Sequence, residues 1–219
     1  IRTMCWNEPV SWASWVLILV GSAVLWNRNH THDRWWAVFI MTFGLMQMIE
    51  ALMWRDEECK TGLNSIATKL GLVAILMQPL AATLGALTMD LEPQAVQMVM
   101  AIVATYVIAV LAPALYTGFD LSDPAVRENM RCTKKAKGSC HMHHKFVEYP
   151  INNTPSSIVW VIVMVLPFVL FAETWADKAA FATVVMGTYM LSRLVDNVAW
   201  SSLWCWIAIG GVFFAYAWN

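Results

Sequence analysis

Residues 95–116 read AVQMVMAIVATYVIAVLAPALY, a stretch without a single charged side chain. An apolar helix of this length crosses a hydrocarbon core of roughly 30 Å, which is typical of a transmembrane segment. The whole chain of 219 residues is 59% hydrophobic and only 13% charged, whereas soluble domains carry about a quarter charged residues. The composition therefore predicts a protein that faces lipid. Seven apolar spans are predicted, over residues 10–27, 35–54, 66–89, 95–116, 156–174, 179–197 and 199–218.

These spans divide the chain into three parts. Residues 1–116 hold the first four spans, residues 117–155 form a polar extramembrane loop or cap, and residues 156–219 hold the last three. Because lipid offers no hydrogen-bond partners to an unpaired backbone, the spans are expected to be helices. The sequence thus predicts an all-α, polytopic bundle of about seven transmembrane helices. Most of the 13 tryptophans lie near span ends, as in an interfacial belt.

An offset of 146 residues (196 − 50) suggests an internal repeat. It places Glu50 on Asp196 and Trp54 on Trp200, and it matches the first two spans with the fifth and sixth. The resulting 3+1+3 plan has parallel repeats, an arrangement found in carriers whose binding site lies between the repeats. Chance is the alternative, because apolar helices resemble one another.

Polar side chains inside the predicted spans mark a candidate site. Charges within a membrane are costly and usually face the bundle interior. Side A is defined here as the membrane side from which the first span starts, and both Glu50 and Asp196 are predicted near it. The candidate pocket consists of Gln47, Glu50, Gln78, Arg193, Asp196 and Asn197. Glu50 or Asp196 would bind a proton or cation, with Arg193 as counter-charge. Alternatively, Arg193 and Glu50 form a buried structural ion pair, or these charges extend to the interface.

Most of the five cysteines are predicted on side A. If that side is oxidising, Cys132 could pair with Cys140, or Cys59 with either of them. If it is reducing, zinc binding by Cys132, Cys140, His141, His143 and His144 is a weaker alternative, and free thiols are a third. The positive-inside rule would place most Lys and Arg, and hence side A, on the cytosolic, matrix or stromal side.

Several functional classes lack their signatures. The net charge of −1 gives no basic field for nucleic acid. The last span contains no lysine for a retinal Schiff base, and no span contains histidine for haem or chlorophyll. Since GxSxG, HExxH and phosphate-binding glycine loops are also missing, we expect neither an enzyme nor a resident cofactor. Bound lipids are expected, or pigments if the chain belongs to a photosynthetic complex.

Scattered motifs resemble an uncharacterised multi-pass membrane family of algae and large DNA viruses. The motifs are Met4-Cys5-Trp6-Asn7, Met46-Gln47-Met48-Ile49-Glu50 with Trp54, Met77-Gln78-Pro79 and Ser202-Leu203-Trp204-Cys205-Trp206. This resemblance implies a membrane bundle but no known activity. The 3+1+3 plan is also similar to the topology of sugar-efflux and PQ-loop carriers. Their Pro-Gln order is replaced here by Gln78-Pro79, so the similarity concerns topology alone.

Two functions fit these observations. The first is a carrier or channel for a small solute or ion, with an acidic intramembrane pocket. The second is a non-catalytic accessory subunit of a large organellar photosynthetic or respiratory complex, bound to other subunits through residues 117–155. Both place the chain in a bilayer, and an organellar membrane is one candidate location. A carrier predicts a water-accessible cavity around Glu50, whereas an accessory subunit predicts that the same residues pair in a dry core.

Overall fold

The computed structural model describes residues 6–148, 154–207 and 209–218, without the side chains of 148 and 154–158. Within these ranges the chain is helical apart from turns and one antiparallel bridge between Lys135 and Met142. The helices are α1 (Glu8–Arg28), α2 (Asp33–Arg55), α3 (Leu63–Gly85), α4 (Pro93–Tyr106), α5 (Ala112–Gly118), α6 (Pro124–Arg131), α7 (Lys145–Glu148), α8 (Thr154–Phe171), α9 (Trp175–Val195), α10 (Trp200–Ile207) and α11 (Ile209–Trp218). A 3-10 turn (Ala86–Thr88) extends α3, and a π-helical turn (Val107–Leu111) joins α4 to α5.

Within the described residues, five helical segments are long and apolar enough to cross a membrane: Glu8–Arg28, Asp33–Arg55, Leu63–Thr88, Pro93–Gly118 and Trp200–Trp218. The chain is therefore an all-helical protein of the membrane-embedded kind. The number of seven spans stays a prediction. In α8 the described apolar part is shorter, Val159–Phe171, and α9 carries Asp177, Lys178 and Arg193, which dilute its hydrophobicity.

Helices α2 and α3 form the centre of the bundle. Helix α1 packs on α2, α8 packs on α3, and α11 closes the ring against α1 and α2. Helix α9 reaches both ends of this bundle. At one end Asp177 accepts a hydrogen bond from Trp218 Nε1 (2.8 Å), and at the other Asp196 accepts one from Ser139 in the polar segment. It therefore extends over the same depth as its apolar neighbours.

Five of the tryptophans expected near span ends point into the protein and not towards its surface: Trp35, Trp36, Trp160, Trp200 and Trp204. Trp35, Trp36 and Trp160 are buried in the core, where Trp35 and Trp36 stack on Phe168. Their apolar area is better shielded inside than at a surface, provided that the indole N–H finds an acceptor. Trp35 donates to the Ala82 carbonyl (2.7 Å) and Trp160 to the Ile75 carbonyl (3.3 Å).

Proline 79 explains the second of these hydrogen bonds. A proline inside a helix has no N–H for the carbonyl four residues earlier, which here belongs to Ile75. Trp160 supplies the missing donor. One residue further along α3, the Leu76 carbonyl accepts from the hydroxyl of Tyr106 (2.8 Å). One turn before Pro79, side-chain donors from α8 and α4 therefore join these two helices to α3.

The polar segment folds as a cap over side A, and its described part is residues 119–148. It contains α6, a hairpin-like loop and α7. In the loop the Ala136 amide donates to the His141 carbonyl (3.0 Å) and the His143 amide to the Lys134 carbonyl (2.9 Å). Gly138 turns the chain there with a φ of +79°, which only glycine adopts without strain. Helix α5 ends at Gly118, while the boundaries 117–155 of the polar segment stay a prediction, since residues 149–153 lie outside the described ranges.

Candidate functional site

A carboxylate, an imidazole and a hydroxyl meet beneath the cap. Glu50 comes from α2, His144 from the end of the cap and Ser201 from the first turn of α10. The Nε2 atom of His144 lies 3.2 Å from Oε1 of Glu50, and both side chains are fully buried. On the other side of the ring, Nδ1 lies 3.0 Å from the Ser201 hydroxyl. The cap therefore reaches into the membrane bundle through His144, and His141 of the cap lies 3.5 Å from the Ser202 hydroxyl of α10.

Glu50 and His144 are close without forming a well-directed hydrogen bond. Their separation meets the distance of an ion pair, yet neither carboxylate oxygen nor Nε2 has a hydrogen-bond partner of acceptable angle within the described residues. The contact is therefore one of close approach between a carboxylate and an imidazole, without a directed hydrogen bond. The carboxylate thus keeps acceptor capacity for a further donor.

Gln47 and Gln78 extend this polar interior. Gln47 lies one helical turn before Glu50 and is fully buried, and neither of its amide atoms has a hydrogen-bond partner in the described part of the chain. Gln78 is buried too, with its amide nitrogen 4.0 Å from Sγ of Cys205. Buried polar groups nearly always have partners. We define Gln47, Glu50, Gln78, His144 and Ser201 as the interior cluster.

Asp196 holds the cap from the opposite side. It accepts hydrogen bonds from Ser139 and from the amides of Val198 (3.0 Å) and Ala199 (2.8 Å). Burial raises the pKa of the Asp196 carboxyl, but these hydrogen bonds outweigh it, so that the pKa is lowered. His141 lies close enough to Glu50 and Asp196 for both carboxylates to affect its pKa. Burial lowers the pKa of His141, against the opposing charges of Glu50 and Asp196.

Besides Asp196, two of the predicted pocket residues lie outside the interior cluster. The Arg193 guanidinium sits over the Trp200 ring, 5.0 Å from its centroid, and the partner of Glu50 is His144. The predicted Arg193–Glu50 pairing is therefore replaced by a pairing with the cap. Asn197 is exposed. The repeat offset relates Glu50, deep in a helix, to Asp196, which caps a helix end, so the two carboxylates have different roles.

The cysteines support the disulfide alternative. Cys59, in the α2–α3 connection, is bonded to Cys132 in the cap, and Cys140 is disulfide-bonded as well. The zinc alternative is wrong for these two cap cysteines, because a sulfur in a disulfide cannot serve as a thiolate ligand. No group of three or more metal-binding side chains occurs among the described residues. His141, His143 and His144 thus remain without cysteine ligands.

Two residues that the sequence did not single out also fix the cap. The Asn64 side chain donates to the carbonyls of Met53 (3.0 Å) and Thr133 (2.9 Å) and accepts from the Thr133 amide (2.7 Å). Asp56 accepts from the amides of Asn64, Lys60 and Thr61, and the first of these contributes most to lowering its pKa to about 2. The sequence signal that could have indicated this role is the position of Asn64, a polar residue in the first turn of an apolar helix.

Glutamate, histidine and serine also form the triad of serine hydrolases, but this arrangement differs. In those enzymes Nε2 faces the serine and Nδ1 the carboxylate, and here the two nitrogens are exchanged. Ser201 is only 5% exposed, which leaves no room for a substrate carbonyl beside it. We interpret the three residues as a polar connection between cap and bundle.

Three cavities lie outside the interior cluster. A small apolar one of about 30 Å3 separates α2 from α9 and α10, and a groove of about 380 Å3 lies between α1 and α2. A third, of about 610 Å3, is formed by the cap and the α2–α3 connection. None of the three is lined by Glu50 or His144.

Comparisons with protein-family models, curated proteins and solved structures find no match for this chain.

Proposed function

We propose that this integral membrane protein is a carrier for a small solute or ion, with Glu50 and His144 as the site of a coupling proton or cation. The observation that carries the proposal is the unused hydrogen-bonding capacity beside His144, because neither oxygen of the buried Glu50 carboxylate has a well-directed partner among the described residues. An ionisable residue inside a membrane bundle is costly to keep and generally serves a proton or ion pathway. Gln47, buried and without a side-chain hydrogen bond to any described residue, supplies donor and acceptor capacity beside it.

The position of His144 suggests how binding would be coupled to movement. Glu50 belongs to α2, whereas His144 belongs to the cap that covers side A. If the cap moved away while Glu50 was ionised, the buried carboxylate would lose its contact with the His144 imidazole, and an uncompensated buried charge costs about 3–5 kcal/mol. A proton or cation bound at Glu50 would remove most of that penalty. Occupancy of the site would therefore permit the cap to open.

The proposal is tested with purified protein in sealed proteoliposomes. Currents on a solid-supported membrane would be recorded with sugars, amino acids, organic anions and metal cations, each with and without a pH gradient. We expect at least one solute to give a current in the wild type that Glu50→Gln abolishes. Glu92→Gln is the matched control, because it makes the same change on an exposed residue between α3 and α4. Equal currents from Glu50→Gln and the control would reject the proposal.

The second candidate is a non-catalytic accessory subunit, and one observation favours it. Glu50 and His144 are both fully buried and already pair with each other, as expected of a dry core. In that case the chain extracted in mild detergent should migrate in native electrophoresis far above a monomer-to-trimer of its 24.7 kDa. Deleting residues 120–148 should then release it from its partners. A small particle would favour the carrier instead.

A further inference from the structure

A second polar region lies in the cap, separate from the interior cluster. Its cavity of about 610 Å3 falls within the range of small-molecule sites, roughly 300–1,000 Å3. The wall on one side is the α2–α3 connection, and the wall on the other is α6 with the hairpin-like loop. The Cys59–Cys132 disulfide joins these two walls covalently.

Positive charge dominates the lining of this cavity. The cationic residues are Arg131, Lys134, Lys135, Lys137 and Lys145. Only two carboxylates, those of Glu58 and Glu128, line it as well, and Glu58 already pairs with Lys60. The cavity therefore carries a net of three positive charges, although the whole chain has a net charge of −1.

Most of these cations lack a protein partner. Among the described residues, the side chains of Arg131, Lys134, Lys137 and Lys145 form no ion pair and no hydrogen bond. Holding like charges around one concave surface is unfavourable unless an anion compensates them. A cleft lined by one sign of charge also concentrates its counter-ion. Arginine and lysine together are the usual ligands of phosphate oxygens.

We propose that this cavity binds a phosphate-bearing anion. The anion would place its phosphate among Arg131, Lys134 and Lys137, with Asn129 and His143 as further polar contacts. Its source is either a soluble phosphorylated compound or the headgroup of an anionic lipid. The site is independent of the transport proposal, because it shares no residue with the interior cluster and is tested by binding rather than by flux.

The test uses the full-length chain in mild detergent without reducing agent, so that the disulfides stay intact. Inorganic phosphate is titrated at constant ionic strength, with chloride as the balancing anion, and binding is followed by calorimetry and by the thermal unfolding midpoint. We expect saturable binding and stabilisation by phosphate. Arg131→Gln/Lys134→Gln should weaken it by at least about tenfold. Both residues are exposed, so the variant should fold.

A control variant separates a site from general attraction. Arg127→Gln/Lys178→Gln removes the same charge from residues that do not line the cavity, and it should keep wild-type affinity. Lipids that co-purify with the protein are identified by mass spectrometry and challenged with phosphate. Displaceable phosphatidylglycerol or phosphatidic acid would indicate a lipid headgroup, and phosphate binding without them a soluble ligand. Phosphate no better than chloride, equal losses in both variants, or binding of acidic polypeptides only would overturn the proposal.

Discussion

At the residue scale, single polar side chains hold the cap on a bundle that is otherwise apolar. Asn64 is the clearest case, since its amide bonds to both α2 and the cap and also accepts from the Thr68 hydroxyl (3.2 Å). A buried side-chain amide of this kind stabilises the fold and also fixes the orientation of the segments it contacts, because each of its lone pairs and hydrogens needs a partner in a particular direction. One residue thereby orients two separate segments.

Asn64→Ala is expected to lower the free energy of unfolding by about 3 kcal/mol, because it leaves the carbonyls and amide that Asn64 contacts without partners. Thermal unfolding of the detergent-solubilised protein measures the loss. Asn27→Ala is the control, since Asn27 is an exposed residue within α1. A loss no larger than that of the control would mean that water replaces Asn64 without cost.

Asp56 predicts an acid-sensitive cap. Its pKa falls from 3.8 to about 2, chiefly through the hydrogen bond from the Asn64 amide. A carboxyl group whose pKa is lower in the folded state than in the unfolded state stabilises the fold fully at a pH above its unfolded-state pKa. This contribution is lost as the pH falls through the folded-state pKa. Protease accessibility of the cap should therefore rise between about pH 4 and pH 2. Asp56→Asn should flatten this part of the curve, and an unchanged curve would contradict the assignment.

At the scale of elements, α7 is the point where the cap rests on the bundle. Phe146 is buried against α3 at Gly71, where an added Cβ would lie 2.9 Å from its Cζ atom and 3.3 Å from Cε of Met53. The small residue thus makes room for the aromatic ring. Because His144 is next to α7, this packing also determines how close its ring comes to Glu50.

Gly71→Leu should displace α7 from α3, since overfilling a packed site costs about 1–3 kcal/mol. Hydrogen exchange of residues 141–148 should accelerate, while exchange in α1 should not change. Gly187→Leu is the matched control, because a Cβ at Gly187 meets nothing within 4 Å. Equal exchange in the two variants would show that Phe146 does not seat the cap.

The disulfide is the second connection between these elements. It closes a loop with a sequence separation of 73, for which chain entropy predicts a stabilisation of about 4 kcal/mol. Cys59→Ser/Cys132→Ser should reduce the unfolding free energy by up to that amount, measured by thermal unfolding without reductant. Cys205→Ser is the control, since Cys205 is a free buried cysteine. A double variant as stable as the control would exclude the disulfide from the native protein.

At the scale of the whole molecule, the disulfide and the charge distribution point to opposite orientations. Arg28, Arg34 and Lys178 lie at the end opposite the cap, where they contact Tyr216, Trp26 and Trp175, and the remaining described basic residues favour a cytosolic cap by the positive-inside rule. A stable disulfide needs an oxidising compartment. We give the disulfide more weight, because a disulfide persists only in an oxidising compartment, whereas the distribution of basic residues only biases the orientation in which a chain inserts into the membrane.

We therefore expect the cap to face an oxidising, non-cytosolic compartment. An epitope inserted at Gly138 should be reached by antibody in sealed cells or organelles. Gly138 lies in an exposed turn, and a Cβ atom added there would meet no other atom within 4 Å. An epitope at His30, in the exposed turn between α1 and α2, should be reached only after permeabilisation. The reverse pattern would place the cap in a reducing compartment and would rule out its disulfides there.

The sequence by itself determined the helices and the setting in lipid. Long apolar runs must become helices in a bilayer because the backbone has no other hydrogen-bond partners, and this depends only on neighbouring residues. The burial of Gln47, Glu50 and Gln78 also followed from their apolar surroundings. The freed carbonyl before Pro79 could be expected from local geometry, although the donor that reaches it could not.

Only the tertiary structure decided which distant residues meet. The pairing of Glu50 with His144, rather than with Arg193, depends on how the cap folds back over side A. No local pattern relates a histidine in a polar loop to a glutamate inside a helix. The choice of Cys59 for Cys132 has the same origin, because loop closure selects cysteines by their distance in space and not by their spacing in the chain.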